Sequence, residues 1–203
     1  MLQNSVTIND VISKKVKGID FLTKNLSYFS DHNFGDVPDY LLAQIETFAN
    51  CNLLDAIWST HTSCKKIIEE AENAICCIFT QPPFLLADAF FDKIKTGIKL
   101  KILFGQNSDI PECNDLVDKL QLDKPRLDNG FEKRICDNVS TNIIVSDNGA
   151  CLMLPDYTGM TDMIMGIEGY DKPFLEWCDN FFEYKWNTGK QFARLRKMLN
   201  TKQ

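Results

Sequence analysis

Between Ala74 and Gly105 the hydrophobic pattern changes period twice, and this stretch restricts the fold more than any other. AICCIF, Ala74 to Phe79, is a short continuous apolar run closed by TQPP. FLLADAFFDKIKTG then repeats apolar residues at helical steps, and KLKILFG is a second apolar run ending in glycine. Strand, helix, strand implies two parallel strands joined by a right-handed crossover, with the loops TQPP and GQNSDIP together at their carboxyl ends. Sheets of this kind bind ligands beyond those ends. The candidate ligand-binding residues are therefore Thr80, Gln81, Phe104, Gln106 and Asn107, with Asp147 or Asp156 at the edge of the pocket. Neutral hydrogen-bonding groups beside an aromatic ring suit the binding of a small polar molecule better than proton transfer.

The remaining segments fit around this unit. Val11, Ile12, Val16, Ile19, Leu22, Leu26 and Phe29 recur at three- and four-residue steps, which predicts an amphipathic helix from Ile8 to Ser30 with Thr7 as a candidate cap. Such a stripe wants a partner, either the body of its own chain or the same helix of a second copy. After the break DHNFGDVP, a second helix is expected from Pro38 through Phe48 and a third from Thr60 to Asn73. ECNDLVDKLQL reads as a fourth helical segment and DKPRLDNG as a linker. FEKRIC and NIIVSDNGACLML read as strands, the latter a hairpin turning at Asp147-Asn148-Gly149, where Asn-Gly supplies positive φ. From Lys172 a helix is expected to the chain end, with Phe174, Trp177, Phe181, Phe182 and Trp186 along one face. The organisation expected is an amphipathic linker or dimerisation helix (1–30), an α/β domain (31–190) and a basic helical tail (191–203).

Composition removes several functions. With 203 residues, 44% of them hydrophobic and 25% charged, one principal globular domain needs no metal or disulfide staple. No window approaches the roughly 18 apolar residues of a membrane span and no secretory leader opens the chain, so a reducing cytoplasm without membrane contact is the expectation. Net charge is −6, yet Lys185 to Gln203 holds six cations and no acid, leaving 16 cations against 28 acids before it. An acidic body argues against a whole surface that grips nucleic acid; the basic tail reads as a solvated helix end. The eight cysteines lack the spacing of a zinc knuckle, and adjacent Cys76 and Cys77 point to opposite faces of a strand. They read as small core residues, with a redox-sensing pair as the alternative. His32, in the break between helices, reads as a surface or capping residue, and His61 as part of a helix start capped by Ser59 or Thr60. No phosphate-cradling glycine loop follows either strand. The expectation is no catalytic residue, no metal and no cofactor.

YFSDHNFGDVPDYLLAQIETF, KKIIEEAENAICCIFTQPPFLLADAFFDKIKTGIKLKILF, IIVSDNGACLMLPD and EGYDKPFLEWCDNFFEYKW together resemble the middle, sensor domain of archaeal methanogenesis and filament regulatory proteins. That family is related to the effector domains of TrmB-type sugar regulators and, more distantly, to the phospholipase D-like fold. The resemblance spans Tyr28 to Trp186 and rests on diffuse hydrophobic signatures. It implies a single phospholipase D-like sensor domain, with a mixed sheet flanked by helices and a linker helix ahead of it. It also implies a small-molecule effector, a homodimer, and contact with DNA through a winged helix-turn-helix. Only about ten residues precede the linker helix, so the winged helix is expected to be missing from this chain or supplied in trans. Phospholipase D chemistry uses a His-x-Lys motif with a following Asp, whereas His61 is followed by Thr62 and Ser63. The expected function is effector sensing for an archaeal transcription regulator, with the chain not an enzyme. The alternatives are a phospholipase D-like phosphodiesterase with an altered site, or a dimerisation module for a DNA-binding partner in trans.

Overall fold

The computed structural model describes residues 8–106 and 130–191, Gln191 by its backbone alone. Among these residues the helices are α1 (Ile8–Lys24), α2 (Leu26–Asp31), α3 (Asp39–Leu42), α4 (Ile57–Glu70), α5 (Ala87–Lys95) and α6 (Lys172–Thr188), with 3-10 turns at Ile45–Phe48 and Phe84–Leu86. The strands are β1 (Asn52–Leu54), β2 (Ala74–Phe79), β3 (Lys99–Gly105), β4 (Phe131–Cys136), β5 (Asn142–Ser146), β6 (Ala150–Met153), β7 (Gly166–Gly169) and β8 (Lys190–Gln191). They form one mixed sheet in the order β1-β7-β6-β5-β2-β3-β4-β8, in which β2, β3 and β4 are parallel. The remaining pairs are antiparallel.

The expected β-α-β unit is β2, α5 and β3, with Cys77 opposite Ile102 and Phe79 opposite Phe104. Ile75, Cys77 and Phe79 pack under α4 and α5, while Cys76 and Ile78 face the opposite layer of α6 and the amino-terminal helices. Burial on both faces is the reason this strand reads as an unbroken apolar run. Phe174, Trp177, Phe181, Phe182 and Trp186 of α6 are all buried, and the Trp177 indole N–H donates to the Leu41 carbonyl at 2.9 Å.

Several elements differ from the sequence reading. Helix α6 does not run to the chain end: the Arg134 guanidinium donates to the Trp186 carbonyl at 2.7 Å, and Lys190–Gln191 turns aside to pair with β4. The second expected helix is one turn, α3, followed by a 3-10 turn. Strands β1 and β7 have no counterpart in the sequence reading; β7 is Gly-Ile-Glu-Gly, where a Cβ on Gly169 would lie 2.4 Å from the Phe174 ring. The β5-β6 hairpin forms with Val145 opposite Ala150, a loop long enough to turn without positive φ; among described residues only Gly35, Gly97 and Gly159 adopt it. The segment ECNDLVDKLQL, the linker after it up to Asn129, the candidate cap Thr7 and the tail beyond Gln191 lie outside the described residues.

The amino-terminal helix breaks at Asn25, whose side-chain amide donates to the Phe21 carbonyl at 2.8 Å and competes with the backbone ladder. It folds back on its own body, with Leu22 and Phe29 the only members of the expected stripe packed on the core. Gly18 lies against the Ile45 carbonyl, where a Cβ would come within 2.2 Å, and Phe21 stacks on Phe48 at 6.2 Å. Lys15 reaches Glu46 at 3.1 Å. Val11, Ile12, Val16, Ile19 and Leu26 stay exposed.

Candidate ligand cleft at the strand ends

At the carboxyl end of β2, the antiparallel order brings the start of β5, the end of β6 and the start of β7 to the same rim. The connection from β6 to β7, residues 154–165, crosses this rim as a strap, packed on the core at Leu154 and Met165 and clamped between them by polar contacts. Thr161 Oγ1 donates to the Ser140 carbonyl at 2.6 Å, which leaves it to accept from Thr80 Oγ1 at 2.9 Å. Asn142, fully buried, accepts the Thr80 backbone N–H at 2.7 Å and points its amide at the Met163 sulfur at 3.0 Å. Thr60 on α4 donates to the Ile164 carbonyl at 2.8 Å.

The strap also holds the end of the amino-terminal helices. His32 Nδ1 meets the Tyr28 carbonyl at 2.8 Å, Nε2 meets Asp162 Oδ2 at 3.0 Å, and the ring stacks on Tyr28 at 4.0 Å. Asn33 donates through its side chain to the Asp156 carbonyl and through its backbone to Pro155. Asp156 itself shapes the strap: its carboxylate takes hydrogen bonds from the Thr158 hydroxyl and from the Thr158 and Met160 N–H groups, which hold it below the ordinary aspartate pKa.

Between the strap, α4 and the segment Gln81 to Leu86 opens a cleft of about 250 Å³. Phe79, Met153, Met163, Cys64, Leu86 and Thr60 line it, with His61, Gln81, Phe84 and Leu85 at its wall. His61 Nε2 donates to the Leu85 carbonyl at 3.2 Å, which leaves Nδ1 as an acceptor in the neutral ring. Cys64 hydrogen-bonds the Cys151 thiol beneath it, and that contact together with burial raises the Cys151 thiol well above its ordinary pKa. Among the described residues, no group of three or more His, Cys, Asp or Glu side chains converges as metal ligands would. A second cleft of about 360 Å³ lies at the end of β4, where buried Lys185 pairs with Asp36 at 2.6 Å and donates to the Asn138 carbonyl. Asp36 in turn accepts from Ser140, so these opposite charges satisfy one another.

The structure brings only part of the expected pocket together. Gln81 lines the cleft, and Thr80 lies behind it as an anchor of the strap. Phe104 is fully buried under α5, and its register neighbour Phe79 takes the place expected of it. Gln106 is exposed past the end of β3, and Asn107 lies outside the described residues. Asp147 is at the other end of the sheet, accepting from the Glu72 and Asn73 N–H groups ahead of β2, because β5 runs antiparallel to β2 and carries its own end away from Thr80. Asp156 stands in the strap. The sequence reading missed Asn142, Thr161, Asp162 and Met163. His32 is buried, so of the two readings the capping one holds: it ends α2 with Nδ1 on the Tyr28 carbonyl, whereas Ser59 and Thr60 donate to carbonyls and do not cap α4.

No family model matches the chain, and no curated protein matches it. Solved structures do. The archaeal chromatin protein TrmBL2, whose structure shows a novel mode of DNA binding, superposes with a TM-score of 0.54 at 17% identity, over 91% of this chain and 67% of that one. The phospholipase D family member Nuc from Salmonella typhimurium gives 0.53 at 12% identity, over 71% of this chain and 98% of its own. Phosphatidylserine synthase from Haemophilus influenzae Rd KW20 gives 0.50 at 9%, over 70% and 39%. The fold is phospholipase D-like, and at these identities the likeness speaks for the fold alone. The expectation that the chain is not an enzyme is corrected here. Two of these structures carry the fold in a phospholipase D family member and a synthase, and His61 lines the cleft at the strand ends. Among the described residues no helix is long and apolar enough to cross a membrane.

Proposed function

We propose that this chain is the effector-sensing part of an archaeal transcription regulator that works in the cytoplasm. A small molecule in the strand-end cleft acts on the strap, and the strap carries the change to α2 and α1. The observation that carries this reading is the double attachment of the strap: Met163 forms the cleft wall, while Asp162 beside it holds His32 at the end of α2. The likeness to TrmBL2 over most of the chain supports a regulatory context. The exposed stripe of Val11, Ile12, Val16 and Ile19 supports a homodimer through α1, which would set the spacing of DNA-binding parts joined to the chain or recruited in trans. A thermal-shift screen of sugars, organic acids and acylated compounds tests it. A specific ligand at 100 times its dissociation constant stabilises by about 2.7 kcal/mol, and the same ligand must change amide exchange in α2. A ligand that leaves α2 unchanged refutes the transmission.

The position of His61 favours a second reading, a phosphodiesterase with an altered site. The residue lines the cleft, with Nε2 on the Leu85 carbonyl, in a fold shared with a phospholipase D family member. Hydrolysis of bis(p-nitrophenyl) phosphate that is lost in His61→Ala supports it; hydrolysis equal to the buffer blank removes it.

A further inference from the structure

We infer that the cleft takes an uncharged ligand with an apolar body of about eight to ten heavy atoms, such as a medium-chain acyl amide, and not a polyhydroxylated or anionic one. The inference rests on the cleft being the effector site and goes beyond it by fixing the ligand's chemistry. Three observations carry it.

The first is the lining. Phe79, Leu86, Met153 and Met163 form its wall with Pro82 and Pro83, and among the described residues no lysine, arginine, aspartate or glutamate lines the cleft. A carboxylate or phosphate drawn into it would lose water and meet no counter-charge. A sugar would leave most of its hydroxyls facing carbon. The polar groups that remain are few and neutral. Thr60 and the backbone of Leu85 are already engaged, so Gln81 and the His61 Nδ1 acceptor are left to receive one polar end.

The second is size. About 250 Å³ corresponds to roughly eight water volumes of ~30 Å³ each, which encloses one chain or one ring and leaves the greater part of a disaccharide or a nucleotide outside. Met153 and Met163 add flexible, polarizable walls that follow an irregular or bending apolar body.

The third is the rim. Leu85 is 77% exposed, and Ile57, Phe84 and Met163, which line the cleft with it, are exposed as well. A row of apolar side chains at the mouth has no use for a ligand that arrives fully hydrated. An amphiphilic one is desolvated in passing.

The test uses the whole chain and three probes: octanamide, octanoate and glucose, each titrated at pH 7 by calorimetry. The expected result is binding of octanamide, octanoate weaker by at least about tenfold because its charge finds no partner, and no binding of glucose. Met163→Trp, which fills the cleft from its wall, and Leu85→Asp, a change at an exposed position, each weaken octanamide at least about tenfold while unfolding as cooperatively as the parent. Glucose or octanoate binding more tightly than octanamide, with the same sensitivity to Met163→Trp, overturns the ligand class and leaves the cleft as the effector site. Octanamide binding unaffected by both variants overturns the placement. Binding of none of the three, and no response of Met163→Trp to any compound of the wider screen, overturns both the ligand class and the effector reading.

Discussion

The contact between His32 and Asp162 joins two parts of the chain 130 residues apart, and its chemistry predicts an unequal pair of substitutions. The Tyr28 carbonyl and the Asp162 carboxylate both only accept, so the ring donates to both when it carries both protons. Asp162 Oδ1 meanwhile accepts the Ile164 and Met165 N–H groups, and this shapes the strap. Asp162→Ala removes all of these contacts at a partly buried site. It is expected to cost about 2–4 kcal/mol, since hydrogen bonds to charged groups contribute roughly 1.5–3 kcal/mol and the N–H groups left behind add to the loss. Asp162→Asn should cost less than ~1 kcal/mol. Its oxygen keeps the Ile164 N–H, and its amide donates to Nε2 of a ring that still donates from Nδ1 to Tyr28. His32→Ala loses the same contact plus the stack on Tyr28, and a double-mutant cycle with Asp162→Ala should give a coupling of about 1.5–3 kcal/mol. Urea unfolding followed by circular dichroism, with unchanged m-values, measures all four variants. If Asp162→Asn is as costly as Asp162→Ala, or if the coupling is below ~0.5 kcal/mol, the strap does not hold α2 in this way.

Gly18→Ala should destabilise the chain although alanine is the better helix former. The gain in propensity is about 1 kcal/mol, whereas a Cβ 2.2 Å from the Ile45 carbonyl lifts α1 and exposes Phe21, whose burial contributes roughly 1.5–3 kcal/mol; a more stable Gly18→Ala variant by thermal melt would show that α1 is not docked. Partial burial pushes the Asp147 carboxyl up, but N–H groups of Asn73 and Glu72 outweigh it and hold the group below the ordinary aspartate value. Its contribution is therefore present above about pH 4 and lost as pH falls through the folded value, so Asp147→Ala should be less stable than the parent at pH 7 and equal to it in strong acid, and a deficit that persists in acid would contradict this. Burial, with a smaller push from Asp179, raises the Cys76 thiol to about 12, which leaves roughly one molecule in ten thousand as thiolate at pH 8. Peptide mapping after iodoacetamide treatment should show Cys76 modified only on unfolding, and rapid native labelling would refute that.

What the sequence made legible was the part ruled by local pattern. The runs at Ala74–Phe79 and Lys99–Gly105, with the helical repeat between them, specify a parallel pair because a crossover is the only short way to join them, and they place Thr80 and Gln81 at the strand ends. Asn142 carried a signal that went unread: a polar residue opening a strand otherwise apolar on both faces needs a partner, and here it has two. Asp162 and Thr161 carried none, because in TGMTDMIMG nothing periodic fixes which side chain turns inward until β7 pairs with β6 and β1. Asp147 was misplaced for a related reason. Its turn was recognised, but the end of the sheet it occupies depends on the sense of β5 against β2, which spacing along the chain does not reveal. The stripe held only at Leu22 and Phe29, which pack on the core, and misled elsewhere because docking rests on Gly18, a residue without a side chain, and on Phe21, which lies off the stripe.

The central claim is that the cleft and the amino-terminal helices communicate through the strap. Amide hydrogen exchange measured on the parent, on Met163→Trp and on Met163→Trp with His32→Ala tests it without any ligand, because the tryptophan presses on the strap from inside the cleft. The account predicts that Met163→Trp changes exchange across Leu26–Asp31 and along α1, and that the change in α1 disappears once His32 is removed. Exchange in both helices that matches the parent in Met163→Trp, with altered protection confined to residues 154–165, would contradict it.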